Sequence, residues 1–259
     1  MEEKEIIATD FAEYYEKSMW KKSVLLFAAD QIIVPFTVVF VLKLLVEIIG
    51  LFLLPPAKAA MDAFFDAEVI RSLIIDTAIL ILAIKIFNES LCSTIQSLFT
   101  EKSEIRKKQF EYLYIVFLLS NFTDILLNPI INSFFVNQNE AILNAEQLTV
   151  NPMLYVLCVV IIGPVVEEIV CRFTLFRPLY LWNKWAAHLI TAVVFGLLHV
   201  LPYVILDGAW EQLVVMLPYC VTGLWLSVLY VKTKNLCFPI MLHMSNNIVA
   251  VALYYLFPS

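Results

Sequence analysis

Charge is scarce in this chain: Asp, Glu, Lys and Arg make up 15% of its 259 residues, where a soluble domain carries about 25%. Glycine is scarcer, at five residues, and with eleven prolines it leaves no stretch for a flexible linker or low-complexity tract. No dense basic stripe occurs and the net charge is −6, which argues against nucleic acid as a partner. The five cysteines (Cys92, Cys158, Cys171, Cys220, Cys237) are scattered, with no CxxC pair and no Cys/His group at zinc-ligand spacing. They read as small buried apolar residues. The N-terminal Met1-Glu2-Glu3-Lys4-Glu5 precedes a first long apolar run that starts only near Val24, which is not the pattern of a cleavable signal peptide. What the chain has instead is apolar residues, 61% of the total, with a mean hydropathy of +0.84. One globular core cannot hide that excess, so the lipid bilayer is this protein's solvent.

A bilayer core of about 30 Å takes about 20 apolar residues as helix. The runs predict an all-α polytopic bundle of about seven transmembrane helices: Ile33–Leu54, Val69–Leu91, Phe110–Pro129, Pro152–Arg172, His188–Val204, Gln212–Val231 and Leu236–Leu256. Pro35 is expected to separate an interfacial helix from the first span proper. The alternating pattern of a membrane barrel is absent. Lys17, Lys21 and Lys22 precede the first span. Lys102, Arg106, Lys107 and Lys108 follow the second, Arg177 and Lys184 the fourth, and Lys232 and Lys234 the sixth. The other connections hold Lys58 or no basic residue, so the positive-inside rule predicts a cytosolic N-terminus and an external C-terminus. The chain divides into a cytosolic segment 1–23, N-terminal membrane helices 24–150 and a helical core 151–259 that carries the motifs below.

Ionisable groups inside a bilayer are costly, so each is a candidate for function. Lys43 and Glu47, at i,i+4, can pair with one another. Asp30, Asp76 and Asp124 stand alone. The fourth span holds Gly163-Pro164-Val165-Val166-Glu167-Glu168-Ile169-Val170-Cys171-Arg172. Two adjacent carboxylates in low dielectric raise each other's cost. Arg172, one turn after Glu168, can neutralise that residue, whereas Glu167 points about 100° away around the helix. An unpaired carboxylate there is a candidate general base, and an ion network is the structural alternative. Pro164 removes a backbone donor and frees a carbonyl where water can enter. In the fifth span Phe195 and His199 share a face, and Gly196 allows close approach of another helix. In the seventh, His243 and Asn247 share a face and Asn246 turns to another. Counting about 1.5 Å per residue from the basic ends, Glu167, His199 and His243 lie at one depth, provided that Leu179–Ala187, with Trp182 and Trp185, forms an interfacial segment.

Glu-Glu-x-x-x-Arg (Glu167, Glu168, Arg172), Phe-x-x-x-His (Phe195, His199) and His-x-x-x-Asn (His243, Asn247), in this order, resemble the motifs of the CPBP family, the CAAX-protease and bacteriocin-processing (Abi) intramembrane endopeptidases. The resemblance covers roughly 152–250. It implies hydrolysis of a peptide bond in a membrane-associated protein or peptide precursor, of CAAX, pheromone or bacteriocin-leader type. By similarity, Glu167 assisted by His199 activates the water, His243 and Asn247 donate to the oxyanion, and Glu168, Arg172 and Phe195 support them without touching substrate. No cofactor is implied, and a bacterial cell membrane is the expected location. A zinc protease is a rival, since Glu with two His is a known ligand set, although no HExxH occurs. Another is a non-proteolytic membrane regulator or scaffold. A transporter is disfavoured by the lack of an inverted repeat.

Overall fold

The computed structural model describes residues 17–140 and 151–256. Every regular element among them is helical. Helix α1 (Lys17–Ala28) passes through a π-helical turn, π1 (Ala29–Ile33), into α2 (Val34–Gly50). After a reversal at Leu51–Leu54 come α3 (Pro55–Asp66), α4 (Glu68–Thr100) and α5 (Ser103–Asn132). The fourth long rod is composite: α6 (Pro152–Tyr155), π2 (Val156–Ile162), α7 (Gly163–Glu168), π3 (Ile169–Phe176) and α8 (Arg177–Trp182). Helices α9 (Lys184–Leu206), α10 (Gln212–Thr233) and α11 (Cys237–Leu256) complete the bundle.

Six helical rods are long and apolar enough to cross a membrane: Met19–Gly50, Ser103–Asn132, Pro152–Trp182, Lys184–Leu206, Gln212–Thr233 and Cys237–Tyr254. The chain is an all-α polytopic membrane bundle. The expected span Val69–Leu91 is not among the six. It lies within α4, where Arg71, Asp76, Lys85 and Glu89 interrupt the apolar run and Phe87 leaves helical dihedrals (φ −121°, ψ 20°). Pro35 does not separate two helices either. The π-helical turn Ala29–Ile33 just before it accommodates the missing N–H, and the rod runs on as helix into α2.

Composite helix Pro152–Trp182 is the axis of the fold: 56% of its apolar window is buried, against 6% for Met19–Gly50. One face, with Val166, Ile169, Val170, Phe173 and Phe176, packs on Leu26 and Ala29 of the first rod and on Ile79, Ala83 and Phe87 of α4. On the other side Cys171 joins Val116, Phe195, Leu226, Leu229, Phe238 and Leu242 from α5, α9, α10 and α11. Helix starts are set by local chemistry. Asn151 Oδ1 accepts from Met153 N at 2.9 Å and Asn183 Oδ1 from Ala186 N at 3.0 Å, each satisfying an N-terminal donor. Asn235, in the α10–α11 turn, accepts from Cys237 N and donates to Thr94 O and Ser97 Oγ, which fixes the height of α11 against α4.

Two further expectations change. Glu47 does not need Lys43, because the reversal after Gly50 lays α3 alongside α2 and brings Lys58 Nζ to 2.8 Å from Glu47 Oε2. The segment Leu179–Ala187 is not one interfacial piece: Asn183 is extended (φ −154°, ψ 119°), and α9 begins directly at Lys184. Trp182 and Trp185 flank that corner, both largely exposed.

Candidate active site

Glu168 and Arg172 are completely buried, with Arg172 Nε 2.9 Å from Glu168 Oε2, the ion pair that their spacing predicts. Glu167, on the same turn, is 38% exposed at its side chain and makes no ion pair with a lysine or arginine among the described residues. Its Oε2 is enclosed and makes no hydrogen bond among the described residues. Two imidazoles converge on that oxygen. His199 Nε2 lies 3.8 Å from it and His243 Nε2 3.9 Å. Both separations exceed a hydrogen bond and suit one bridging water.

The other ring nitrogen of each histidine is fixed. His199 Nδ1 lies 2.8 Å from Phe195 O. A carbonyl only accepts, so Nδ1 carries the hydrogen, and Nε2 is the nitrogen turned toward Glu167. His243 Nδ1 is 3.3 Å from Glu168 Oε1. His243 therefore stands between two carboxylates, one at each ring nitrogen. Phe195 packs against all three neighbours of this centre, with ring centroids 4.7 Å from His199 and 5.6 Å from His243 and the Arg172 guanidinium 5.3 Å from its ring.

Why α9 comes so close is legible from small residues. A Cβ on Gly196 would lie 2.4 Å from Cys220 Sγ and 3.0 Å from Met216 O of α10. One on Gly223 of α10 would meet Phe195 and Ala192 at 3.1–3.3 Å. Helices α9 and α10 thus touch backbone to backbone at the level of Phe195, as small residues permit inside membranes. Depth counting had needed an interfacial segment to level His199 with Glu167. The structure reaches the same meeting without it, because staggered helices align on their contacts rather than on their ends.

Asn247 points to the axial helix, and its Nδ2 donates to Val159 O at 2.7 Å. That carbonyl lacks a helical donor: Gly163 N–H goes to Cys158 O, and Pro164 has no N–H. The carbonyl freed by Pro164 is thus occupied by a protein amide rather than left to water. Asn246 turns to α5, bonding Ser120 Oγ and Asn121 Nδ2. Of the three lone acids, Asp124 accepts from Thr222 Oγ1 at 3.3 Å, Asp30 accepts from Gln31 Nε2, and Asp76 lies on the side of α4 that faces Gly163. Tyr219 of α10 escaped the sequence reading. It stacks on His199 (centroids 4.4 Å apart, 20° between planes), and Asn137 and Asn139 hold its hydroxyl. One tyrosine in an apolar span carries no pattern that would have marked it. Among the described residues no three His, Cys, Asp or Glu side chains form a group able to hold a metal ion.

Residues 149–249, which include all seven motif positions, match the sequence profile described as type II CAAX prenyl endopeptidase Rce1-like. This match agrees with the CPBP resemblance of the motifs. The chain is also similar to YdiL of Bacillus subtilis (strain 168), named as a candidate membrane peptidase, with 34% identity over 92 residues. That alignment covers 35% of this chain and 33% of YdiL, so the chain spans about a third of its curated relative's length. No solved structure matches. The matched stretch does not include α1–α5, although α1 and α4 wall one side of the axial helix.

Proposed function

We propose that this protein is an intramembrane endopeptidase of the glutamate type, cutting a membrane-associated protein or peptide precursor. The observation that carries this reading is the enclosed, unpartnered Oε2 of Glu167, with two imidazole nitrogens at 3.8 and 3.9 Å. A water in that gap gives one hydrogen to Glu167 Oε2 and the other to His199 Nε2, and turns its oxygen lone pair to the scissile carbonyl. As the C–O bond forms, the proton passes to Glu167, positioned base chemistry of the usual kind. His243 faces a carboxylate on each side and so carries hydrogen on both nitrogens, which makes Nε2–H a donor for the oxyanion. The second Nδ2 hydrogen of Asn247 is the other donor. Collapse of the tetrahedral species breaks the C–N bond, and Glu167 returns its proton to the leaving amine. Glu168 and Arg172 hold His243 and the helix in register.

This scheme assigns no metal. In purified protein, Glu167→Gln should abolish cleavage with unchanged folding, and cleavage by the parent should survive prolonged chelation. Loss of activity to a chelator and recovery with zinc would overturn the glutamate mechanism in favour of a metalloprotease. Membrane peptides that accumulate in cells carrying Glu167→Gln identify the substrate.

A further inference from the structure

A carboxylate has two oxygens, and the scheme above uses only one of Glu167's. The other, Oε1, borders the position of Gly163, one turn earlier on the same face of the helix. Gly163, one turn before Glu167, has no side chain. Around the point where its Cβ would sit, the three nearest atoms are all oxygens: Cys158 O at 3.0 Å, Glu167 Oε1 at 3.7 Å and Asp76 Oδ2 at 3.8 Å. The Cys158 carbonyl already accepts from Gly163 N–H. Two carboxylate oxygens from different helices therefore lie within 3.8 Å of one point, and none of the three nearest atoms there is a donor. Asp76 has no hydrogen-bond partner among the described residues. The charged groups that act on it are Glu167 and Asp30, both acidic. Asp30, on π1, has its own donor in Gln31 Nε2. The nearest guanidinium on the axial helix, Arg172, is committed to Glu168.

Two carboxylates whose oxygens both lie within 3.8 Å of one point raise the cost of each other's charge, and one site takes a proton. We propose that Asp76 holds that proton and donates it as a hydrogen bond to Glu167 Oε1, directly or through one water, across the space that Gly163 leaves. A carboxylic acid kept neutral is a good donor in an apolar site. Glu167 then remains a carboxylate with Oε2 free for the attacking water. The Asp76 proton stays on Asp76 throughout. The proton that moves is the water's, which goes to Glu167 Oε2 and leaves on the amine. Asp76 touches no reacting atom and is a positioning residue. The inference rests on Glu167 being the base.

The test uses the full chain in nanodiscs with a peptide substrate found as above. Asp76→Asn keeps both shape and donor, so kcat should stay within about threefold of the parent, a difference under 1 kcal/mol. Asp76→Leu removes the donor. A hydrogen bond to a charged group contributes about 1.5–3 kcal/mol, so kcat should fall roughly 10- to 100-fold with KM unchanged. The infrared spectrum supplies a readout independent of cleavage. A protonated-carboxyl C=O band present in the parent should lose intensity in Asp76→Asn, which decides the matter even where Asp76→Leu fails to accumulate. Full kcat in Asp76→Leu, an Asp76→Asn variant as slow as Asp76→Leu, or no change in the band would each overturn the proposal. Normal cleavage by Glu167→Gln would instead remove the underlying mechanism, while loss of cleavage there with full activity in Asp76→Leu removes only the role of Asp76.

Discussion

Replacing Asn247 by Ala should damage the protein in two separable ways, and a second substitution should repair only one. Asn247 Nδ2 is 2.7 Å from Val159 O, a carbonyl with no helical donor because Gly163 N–H is spent on Cys158 O and Pro164 has none. Deleting the amide strands that carbonyl inside the bundle, at a cost of about 1–3 kcal/mol. Pro164→Ala alone should change stability little, since the carbonyl that Pro164 leaves without a helical donor is already satisfied by Asn247. It restores an N–H five residues after Val159, in the register that Gly163 uses toward Cys158. In that background Asn247→Ala should therefore cost much less, giving a coupling of about 1–2 kcal/mol in a double-mutant cycle. Reversible unfolding in mixed micelles, followed by tryptophan fluorescence, measures it. Turnover should behave differently: losing one oxyanion donor lowers the rate roughly 100- to 1000-fold, and Pro164→Ala should not recover it. Additivity of the two substitutions in stability, within about 0.5 kcal/mol, would refute the claim that Asn247 answers the proline.

Glu168→Gln or Arg172→Ala leaves a fully buried charge without its partner. Each should cost about 3–5 kcal/mol, seen as poor accumulation and early melting, whereas Glu167→Gln should melt like the parent. Gly196→Ala sets a Cβ 2.4 Å from Cys220 Sγ and 3.0 Å from a backbone oxygen. It should destabilise by about 1–3 kcal/mol and slow cleavage by displacing His199, and unchanged melting and activity would refute the close approach of α9 and α10. Reporter fusions after Lys108 and Lys234 should read cytosolic, following the alternation of basic loops. One near Ala145, outside the described residues, should read external, and a cytosolic signal there would reject the expected orientation.

Composition and spacing carried much of this architecture. An apolar run of some 20 residues in lipid can only be a helix, since the backbone must bond within itself. For that reason Gln212–Val231 and Leu236–Leu256 fell within two residues of α10 and α11. Spacing also decided which of two adjacent glutamates is paired, because i,i+4 contacts follow from helix geometry alone: Arg172 takes Glu168 and leaves Glu167. Gly196 announced a close approach, and only the fold named α10 as the partner.

Contacts between helices distant in sequence were decided by tertiary structure, since no local pattern encodes relative height or rotation. Lys58 rather than Lys43 meets Glu47 because a loop reverses the chain. Tyr219 stacks on His199, and Asn247 reaches Val159 O, because neighbouring helices settle at heights that their side chains choose. Asp76 lay some 90 residues before Glu167 as one unexplained acid in an apolar run, and packing of α4 against the axial helix brings its carboxylate to the edge of Gly163. The sequence by itself determined a helical membrane protein with one unpaired glutamate among scattered histidines and acids. Their convergence on that glutamate was decided only by packing, because side-chain volume, small-residue contacts and buried hydrogen bonds set how the helices stack.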